Sequence, residues 1–390
     1  MEVLRGDSTV PTVSLAVVVP AAALYAQAAS ARLPPGLGRL AALLPVIAFF
    51  AAVPLIFSSS ILRFVAGFFL GWLGTFKLAL LAAARGPLDP ALPAVPFLFT
   101  ALFPVKLITT NNNRPASTTT TTTTSSTSGG GSFVSLLHLY RYMDTLHVYL
   151  RYTVYCLHLY LLLDLLIPCT ALLGRLVLGM ELEPQFDRPY LASSLREFWG
   201  RRWNLMVSAV LRAAVYDPVR SLAAGRNKNN KEVAAAASFL VSGVMHEAMA
   251  CYLLLRPPTG EMVAFFLLHC AFCLVEDRCV RMWRAMGWPA PPRVVTFLGL
   301  AAFMAVTMFW LFLPPVCRDG GEEMLRAEWA AVPAFFLGAA QKLLPRYVLY
   351  MLFTCFVDES SSLDLTTLDS LKVLGFPCAG LDERQRVHQV

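Results

Sequence analysis

Long apolar runs, separated by short charged or proline-rich stretches, set the pattern of this chain. They fall at 11–29, 40–58, 61–84, 152–180, 234–255, 261–276, 294–315 and 331–357, with weaker candidates at 91–108 and 205–216. A helix rises about 1.5 Å per residue and a bilayer core is about 30 Å thick, so runs near twenty residues read as membrane spans. The pattern predicts an all-α, polytopic membrane helical bundle of about eight to nine spans. Pro20, Pro45, Pro54 and Pro168 fall inside these runs. In a bundle, neighbouring helices can satisfy the freed carbonyls, so these prolines predict kinks rather than breaks.

Four regions follow from the spacing: N-terminal transmembrane helices over 1–110, a loop over 111–132, a core with further spans over 133–357, and a cytosolic tail over 358–390. The loop contains Asn111-Asn-Asn113, an unbroken threonine run from Thr118 to Thr124, and a Ser/Gly stretch to Ser132. Such a segment cannot bury a core and is expected to be disordered, with no catalytic role. Residues 133–160 are rich in tyrosine and histidine, but His138, His147 and His158 lack the spacing of a metal pair. An aromatic belt at the membrane interface accounts for them.

Composition agrees. Hydrophobic residues make up 57% and charged residues 15% of the 390, and mean hydropathy is +0.59. Soluble domains carry about 25% charged residues, so the deficit itself indicates a membrane protein. The net charge of +7 is divided among short loops, which speaks against nucleic acid and for positive loops that orient helices. Residues 196–232 hold eight Lys or Arg against three acids, and Arg278, Arg281, Arg284 and Arg293 form a second basic loop after the next span. Both are expected in the cytosol, with the Arg256–Gly260 turn on the other side. Nine cysteines, mostly within apolar stretches, imply neither a disulfide framework nor a zinc site. Val13 to Leu24 precedes Ala26-Gln-Ala28, which resembles a cleavage site, but Glu2 and Asp7 spoil a positive n-region. The segment is read as a first transmembrane helix.

Against this background a few polar residues stand out. His246 sits mid-way along the apolar run Ala234–Leu255, where an ionisable group usually has a functional reason. Away from water an imidazole is uncharged and able to accept a proton. Glu247 follows, but without a second histidine four residues on there is no metalloprotease helix, and adjacent helical residues diverge by about 100°. Upstream, Phe198-Trp-Gly-Arg-Arg-Trp-Asn204 offers Arg201 and Arg202 for phosphates, Trp199 and Trp203 as flat faces, and Asn204 as both donor and acceptor. An amphipathic surface helix would share this composition. His269 and Glu276, seven apart on one helix face, form a competing polar site: a pore or substrate doorway, or a structural pair. No P-loop, nucleophile elbow or dinucleotide fingerprint is present in the sequence.

The run Pro184-Gln-Phe-Asp-Arg-Pro-Tyr-Leu-Ala-Ser-Ser-Leu-Arg-Glu-Phe-Trp-Gly-Arg-Arg-Trp-Asn-Leu-Met206 resembles the signature of plant wax synthases, members of the membrane-bound O-acyltransferase superfamily. Tyr216-Asp-Pro-Val-Arg220, Leu240-Val-Ser-Gly-Val-Met-His-Glu247 and Phe309-Trp-Leu-Phe-Leu-Pro314 are similar to that family in the same order. So are Arg39 to Pro54 and Gly71-Trp-Leu-Gly-Thr-Phe-Lys77, whereas the threonine-rich loop departs from its pattern.

The resemblance implies an endoplasmic-reticulum enzyme that moves a fatty acyl group from acyl-CoA to a long-chain fatty alcohol, giving a wax ester. It implies a helical bundle around a catalytic chamber, reached by CoA from the cytosol and by the lipid acceptor from the bilayer. It carries the superfamily's histidine to His246 and its asparagine to Asn204. His246 would take the alcohol's proton, and Asn204 would orient the imidazole or donate to the developing oxyanion. CoA would dock near Arg201 and Arg202, with Arg220 or Lys228 beside them. Acyl-CoA enters as a substrate, and no cofactor or metal is implied. A sterol, diacylglycerol or another hydroxyl lipid is the alternative acceptor. A transporter with a proton path through His246, His269 and Glu276 is a more distant reading, since the halves show no convincing repeat. Oligomeric state is not legible.

Overall fold

The computed structural model describes residues 9–105, 140–179, 186–223 and 230–329. Contacts divide the chain into two units, 1–328 and 329–390, and the elements below belong to the first. The 111–132 loop, His138, Lys228, the 331–357 run and the 358–390 tail lie outside the described residues.

Every regular element among the described residues is helical. The N-terminal part contains α1 (Thr9–Arg32), α2 (Leu37–Ala52), α3 (Ser60–Ala82) and α4 (Ala94–Leu102). Pro20 and Pro45 lie inside continuous helices, as the bundle argument expects. At Pro54 the end of α2 instead tightens into a 3-10 turn, Val53–Ile56. Proline brings no N–H, and a shorter hydrogen-bond loop there absorbs the loss. These helices close on a core of Leu43, Phe50, Leu78, Leu81 and Phe97.

The central part contains α5 (Val148–Leu178), α6 (Leu205–Leu211), α7 (Asp217–Leu222), α8 (Asn230–Leu254), α9 (Glu261–Ala285) and α10 (Arg293–Thr307). Residues 321–328 are helical as well. Among the described residues five helices are long and apolar enough to cross a bilayer: Ser14–Arg32, Leu37–Ile56, Ser60–Ala82, Asn230–Leu254 and Arg293–Cys317.

Three boundaries differ from the hydropathy reading. The 91–108 run yields only the nine residues of α4, about 14 Å of helix, and 205–216 yields α6 and one further turn. The first run is described only to residue 105, and the second continues directly into α7, a helical stretch over 205–222. Among the described residues neither is long and apolar enough to count as a span, and both pack against neighbours. The third is α9, which runs on to Ala285 and carries Arg278, Arg281 and Arg284 on helix rather than loop. Arg281 pairs with Asp277 one turn back, and Arg278 reaches Glu232 at the start of α8, 2.8 Å away.

Buried charges hold helix ends together. The Arg63 guanidinium donates to the carbonyls of Tyr252 (2.8 Å) and Leu253 (3.1 Å), at the C-terminal end of α8. Glu328 accepts from Ser59 Oγ and from the amides of Ser60 and Ile61 (2.8, 2.9 and 3.0 Å), at the N-terminus of α3. Lys77, fully buried, donates to the carbonyls of Thr100 and Phe103 (2.7 and 2.6 Å) at the end of α4. Each charge faces the helix end whose exposed backbone groups it satisfies, so none is stranded in apolar surroundings.

Candidate active site

Three α-helices fit together around His246 through small contacts on one side and aromatic rings on the other. On α8, a Cβ at Gly243 would stand 2.8 Å from the Val263 Cα and 3.3 Å from the Phe266 Cβ. Only a residue without a side chain allows α9 that close, and the approach brings Phe266 onto the imidazole, 4.4 Å between ring centres. Trp72 from α3 meets the same ring in a T-shaped contact at 5.0 Å, and Phe312 does so at 5.9 Å. His246 itself is half-buried.

The hydrogen bonding of His246 fixes its tautomer. Nδ1 lies 2.8 Å from the carbonyl oxygen of Ser242, one turn back. A carbonyl can only accept, so Nδ1 carries the proton and Nε2 keeps its lone pair. Among the described residues nothing hydrogen-bonds Nε2. The ring is therefore oriented by its own helix, with its basic nitrogen left over.

His269 is the contrasting case. It is fully buried, and Trp199 Nε1–H donates to its Nδ1 at 3.1 Å. Its Nε2–H therefore donates to Thr307 Oγ1 at 2.9 Å, and that hydroxyl donates on to the Phe303 carbonyl, also at 2.9 Å. Both nitrogens are committed, so His269 joins the Trp199 segment to α10 and relays no proton. Glu276 does not pair with it either. Its carboxylate accepts from the amides of Leu195 and Arg196 (3.3 and 3.2 Å), capping the turn that begins the Phe-Trp-Gly-Arg-Arg-Trp-Asn segment. The expected shared site of His269 and Glu276 is thus two separate anchors for residues 195–202. Seven residues of spacing put them on one face but two turns apart, about 10 Å along the axis.

That segment is itself braced. Ser194 Oγ accepts from the Glu197 amide (3.0 Å), while Glu197 accepts from the Ser193 amide and hydroxyl (2.9 and 3.0 Å), a capping arrangement readable in Ser193-Ser-Leu-Arg-Glu197. The Ser193 N–H holds the Glu197 carboxyl below its usual range, and the Arg202 guanidinium adds to this. Arg202, expected at CoA phosphates, is instead bound to Glu197 (2.7 Å) and the Asp187 carbonyl (3.0 Å). Arg201 is exposed, with no ion pair among the described residues, and Arg220 is exposed as well. Trp203 stacks on Phe198 (5.4 Å, 17°) and meets Phe186 and Tyr160 of α5, so it is a packing residue rather than an open face. Trp199 is likewise turned inward, towards Phe266 and His269.

Asn204 adopts a left-handed backbone (φ 41°) and caps α6, its Oδ1 accepting from the Val207 amide at 3.2 Å. The expected Asn204–imidazole bond is not formed; the Ser242 carbonyl occupies that nitrogen. Glu247, the residue after His246 and pointing about 100° away from it, accepts from the amides of Thr259 (2.5 Å), Gly260 (2.8 Å) and Met262 (3.2 Å). It fastens the α8–α9 turn and does not touch the imidazole.

Sequence reasoning gave no role to Trp72, Phe266, Thr307 or Phe312. One shared feature links three of the aromatic contributors. Trp72, Trp199 and Phe312 lie on π turns, Gly67–Gly74, Phe198–Arg202 and Met308–Phe312. A π turn adds a residue to the helical ladder and re-aims the side chains beyond it, which is why such turns recur at functional sites. Its formation has no local sequence signature.

A half-buried imidazole with an unused basic nitrogen, sharing Phe266 with a braced, cation-bearing segment, marks a helical membrane protein with a base between its helices. Comparisons with known proteins narrow this further. The family model for the membrane bound O-acyl transferase family matches residues 182–268, which include Asn204 and His246. The chain is 38% identical over 310 residues to probable long-chain-alcohol O-fatty-acyltransferase 2 of Arabidopsis thaliana, covering 78% of this chain and 89% of that one. It is 36% identical over 310 residues to the long-chain-alcohol O-fatty-acyltransferase of Simmondsia chinensis, covering 77% and 88% respectively. With the Arabidopsis thaliana acyl-CoA–sterol O-acyltransferase 1 it shares 36% over 319 residues, 80% and 91% of the two chains. The chain belongs to the membrane-bound O-acyltransferase family, beside the plant long-chain-alcohol O-fatty-acyltransferases.

Proposed function

We propose that this protein transfers a fatty acyl group from acyl-CoA to a long-chain fatty alcohol, forming a wax ester in the endoplasmic-reticulum membrane. The observation that carries the mechanism is the His246 tautomer: Nδ1–H on the Ser242 carbonyl and a free lone pair on Nε2. The alcohol's hydroxyl proton passes to Nε2 as its oxygen attacks the thioester carbonyl carbon. The tetrahedral intermediate collapses, the C–S bond breaks, and the proton passes from Nε2 to the departing CoA sulfur. The imidazole ends as it began. A positioned base of this kind contributes about a hundred- to ten-thousand-fold in rate. Confinement of two lipids between helices adds orientation that diffusion in a bilayer lacks. Asn204, with its Oδ1 held by the α6 cap, keeps its amide N–H groups for the substrate. CoA phosphates meet Arg201 at the basic helix ends, which face the cytosol.

A sterol acceptor is the second reading, favoured by the similarity to the sterol acyltransferase. The test is expression in yeast deficient in neutral lipids, with fatty alcohols and sterols supplied separately and the ester identified by mass. A wax ester that disappears in His246→Ala at unchanged protein level is the expected result. Steryl ester alone would select the second reading, and near-native turnover in His246→Ala would reject the base.

A further inference from the structure

Trp72 holds a hydrogen-bond donor that the fold does not use. The residue is 3% exposed, and its Nε1 is buried with no hydrogen-bond partner among the described residues. Buried indole N–H groups nearly always find an acceptor, because an unmade hydrogen bond leaves the group's desolvation uncompensated. This orphan sits on the α3 π turn, and its ring is in T-shaped contact with His246, 5.0 Å between centres. We propose that the Trp72 N–H is the oxyanion donor of the reaction, binding the acyl carbonyl oxygen of the thioester while His246 Nε2 takes the alcohol's proton. The proposal rests on the acyltransferase reading above and adds a catalytic residue to it.

Chemistry decides which substrate oxygen the N–H serves. Indole nitrogen donates and cannot accept, so it cannot share the base's work. A donor on the attacking hydroxyl would draw electron density from the oxygen that must form the new C–O bond. On the carbonyl oxygen the same donor strengthens as negative charge develops, which lowers the barrier rather than merely tightening the complex. Its surroundings can yield to a substrate. Trp72 packs in a cluster with Met206, Met245 and Met249, whose unbranched side chains re-pack at little cost, so an incoming carbonyl can reach a donor closed off in the empty site.

The test compares two CoA analogues on the full-length protein in detergent or microsomes: an S-alkyl-CoA, which has no carbonyl, and an S-(2-oxoalkyl)-CoA, whose ketone oxygen stands one methylene from the thioester position. The native protein is expected to bind the oxoalkyl analogue about tenfold more tightly than the alkyl analogue. In Trp72→Phe that preference disappears, and kcat falls about ten- to a hundredfold with KM for acyl-CoA little changed. Thermal stability falls only by the packing lost with the smaller ring, because no native hydrogen bond is lost. Should the smaller ring prevent folding, 3-benzothienylalanine at position 72 removes the N–H while keeping the shape, with the same expectations. An unchanged analogue preference in either variant overturns the assignment while leaving the base in place. A rise confined to the KM for alcohol also overturns it, since the donor would then serve the acceptor. Failure of both analogues to compete with acyl-CoA on the native protein removes the underlying reading and the proposal with it.

Discussion

Gly243→Ala isolates the packing that places Phe266 over the His246 imidazole. The added methyl would lie 2.8 Å from the Val263 Cα, whereas ordinary contact begins at 3.4 Å, so α9 must retreat by about 0.6 Å. The obstacle is backbone and cannot rotate aside, and overpacking of this kind costs about 1–3 kcal/mol. Phe266 moves with α9, and with it the wall that faces His246. A misplacement of about 1 Å can cost roughly a hundredfold in rate, so a displacement near 0.6 Å predicts a loss of about tenfold in ester formation. The assay is acyl transfer per mole of protein in microsomes, with a thermal-shift midpoint measured alongside. Gly299→Ala is the control: that glycine lies on α10 with nothing within 4 Å of its would-be Cβ, and both turnover and midpoint should stay at native values. If Gly243→Ala turned over like the control, the close α8–α9 approach would not be what sets the imidazole's surroundings.

Arg201→Ala should raise the KM for acyl-CoA without moving Tm, while Arg202→Ala, which strips Glu197 of its partner, should lower Tm; the reverse outcome would exchange their roles. Thr307→Val leaves the buried His269 Nε2–H without an acceptor and should destabilise by about 1–3 kcal/mol, whereas Thr307→Ser keeps the hydroxyl and stays near native; equal stabilities of the two variants would refute the assigned tautomer. The Glu197 carboxyl is held below its ordinary value, so its stabilising contribution is full above the unfolded-state value and is lost as pH falls through the lowered one. The Tm gap between native protein and Glu197→Gln should therefore be present at neutral pH and shrink in acid, and a gap that does not change with pH would count against it.

The strongest apolar runs were legible as spans because nothing competes with a uniform hydrophobic stretch of twenty residues. The 91–108 and 205–216 runs were less so, since apolarity alone does not distinguish a helix facing lipid from one buried against neighbours. The charged end of α9 was also hidden: its arginines read as loop, yet the Arg281–Asp277 and Arg278–Glu232 pairs let the helix carry them onward. At the site, the motif residues were visible and several of their partners were not. Ser242 contributes a backbone carbonyl, which any residue could supply. Trp72 and Phe312 arrive from distant elements through π turns. Arg202 and Trp203 looked like binding groups because their side chains suit phosphates and lipids, but the capping and stacking that hold the segment use them first.

The two apolar-run histidines show why partner assignment matters more than residue type. His246 and His269 are both ringed by aromatics, and sequence alone ranks them by context. Hydrogen bonding separates them: His269 has an acceptor and a donor for its two nitrogens, while His246 has one partner and one nitrogen left over. Beside that spare acceptor lies a spare donor on Trp72, with 5.0 Å between ring centres. A fold optimised only for stability would pair the Trp72 N–H, since an unpaired polar atom away from water weakens it, whereas His246 is only half-buried. A reaction that takes a proton from one oxygen and places charge on another needs one of each, and these two rings are in contact. The two unfilled positions match the two demands of acyl transfer to a hydroxyl.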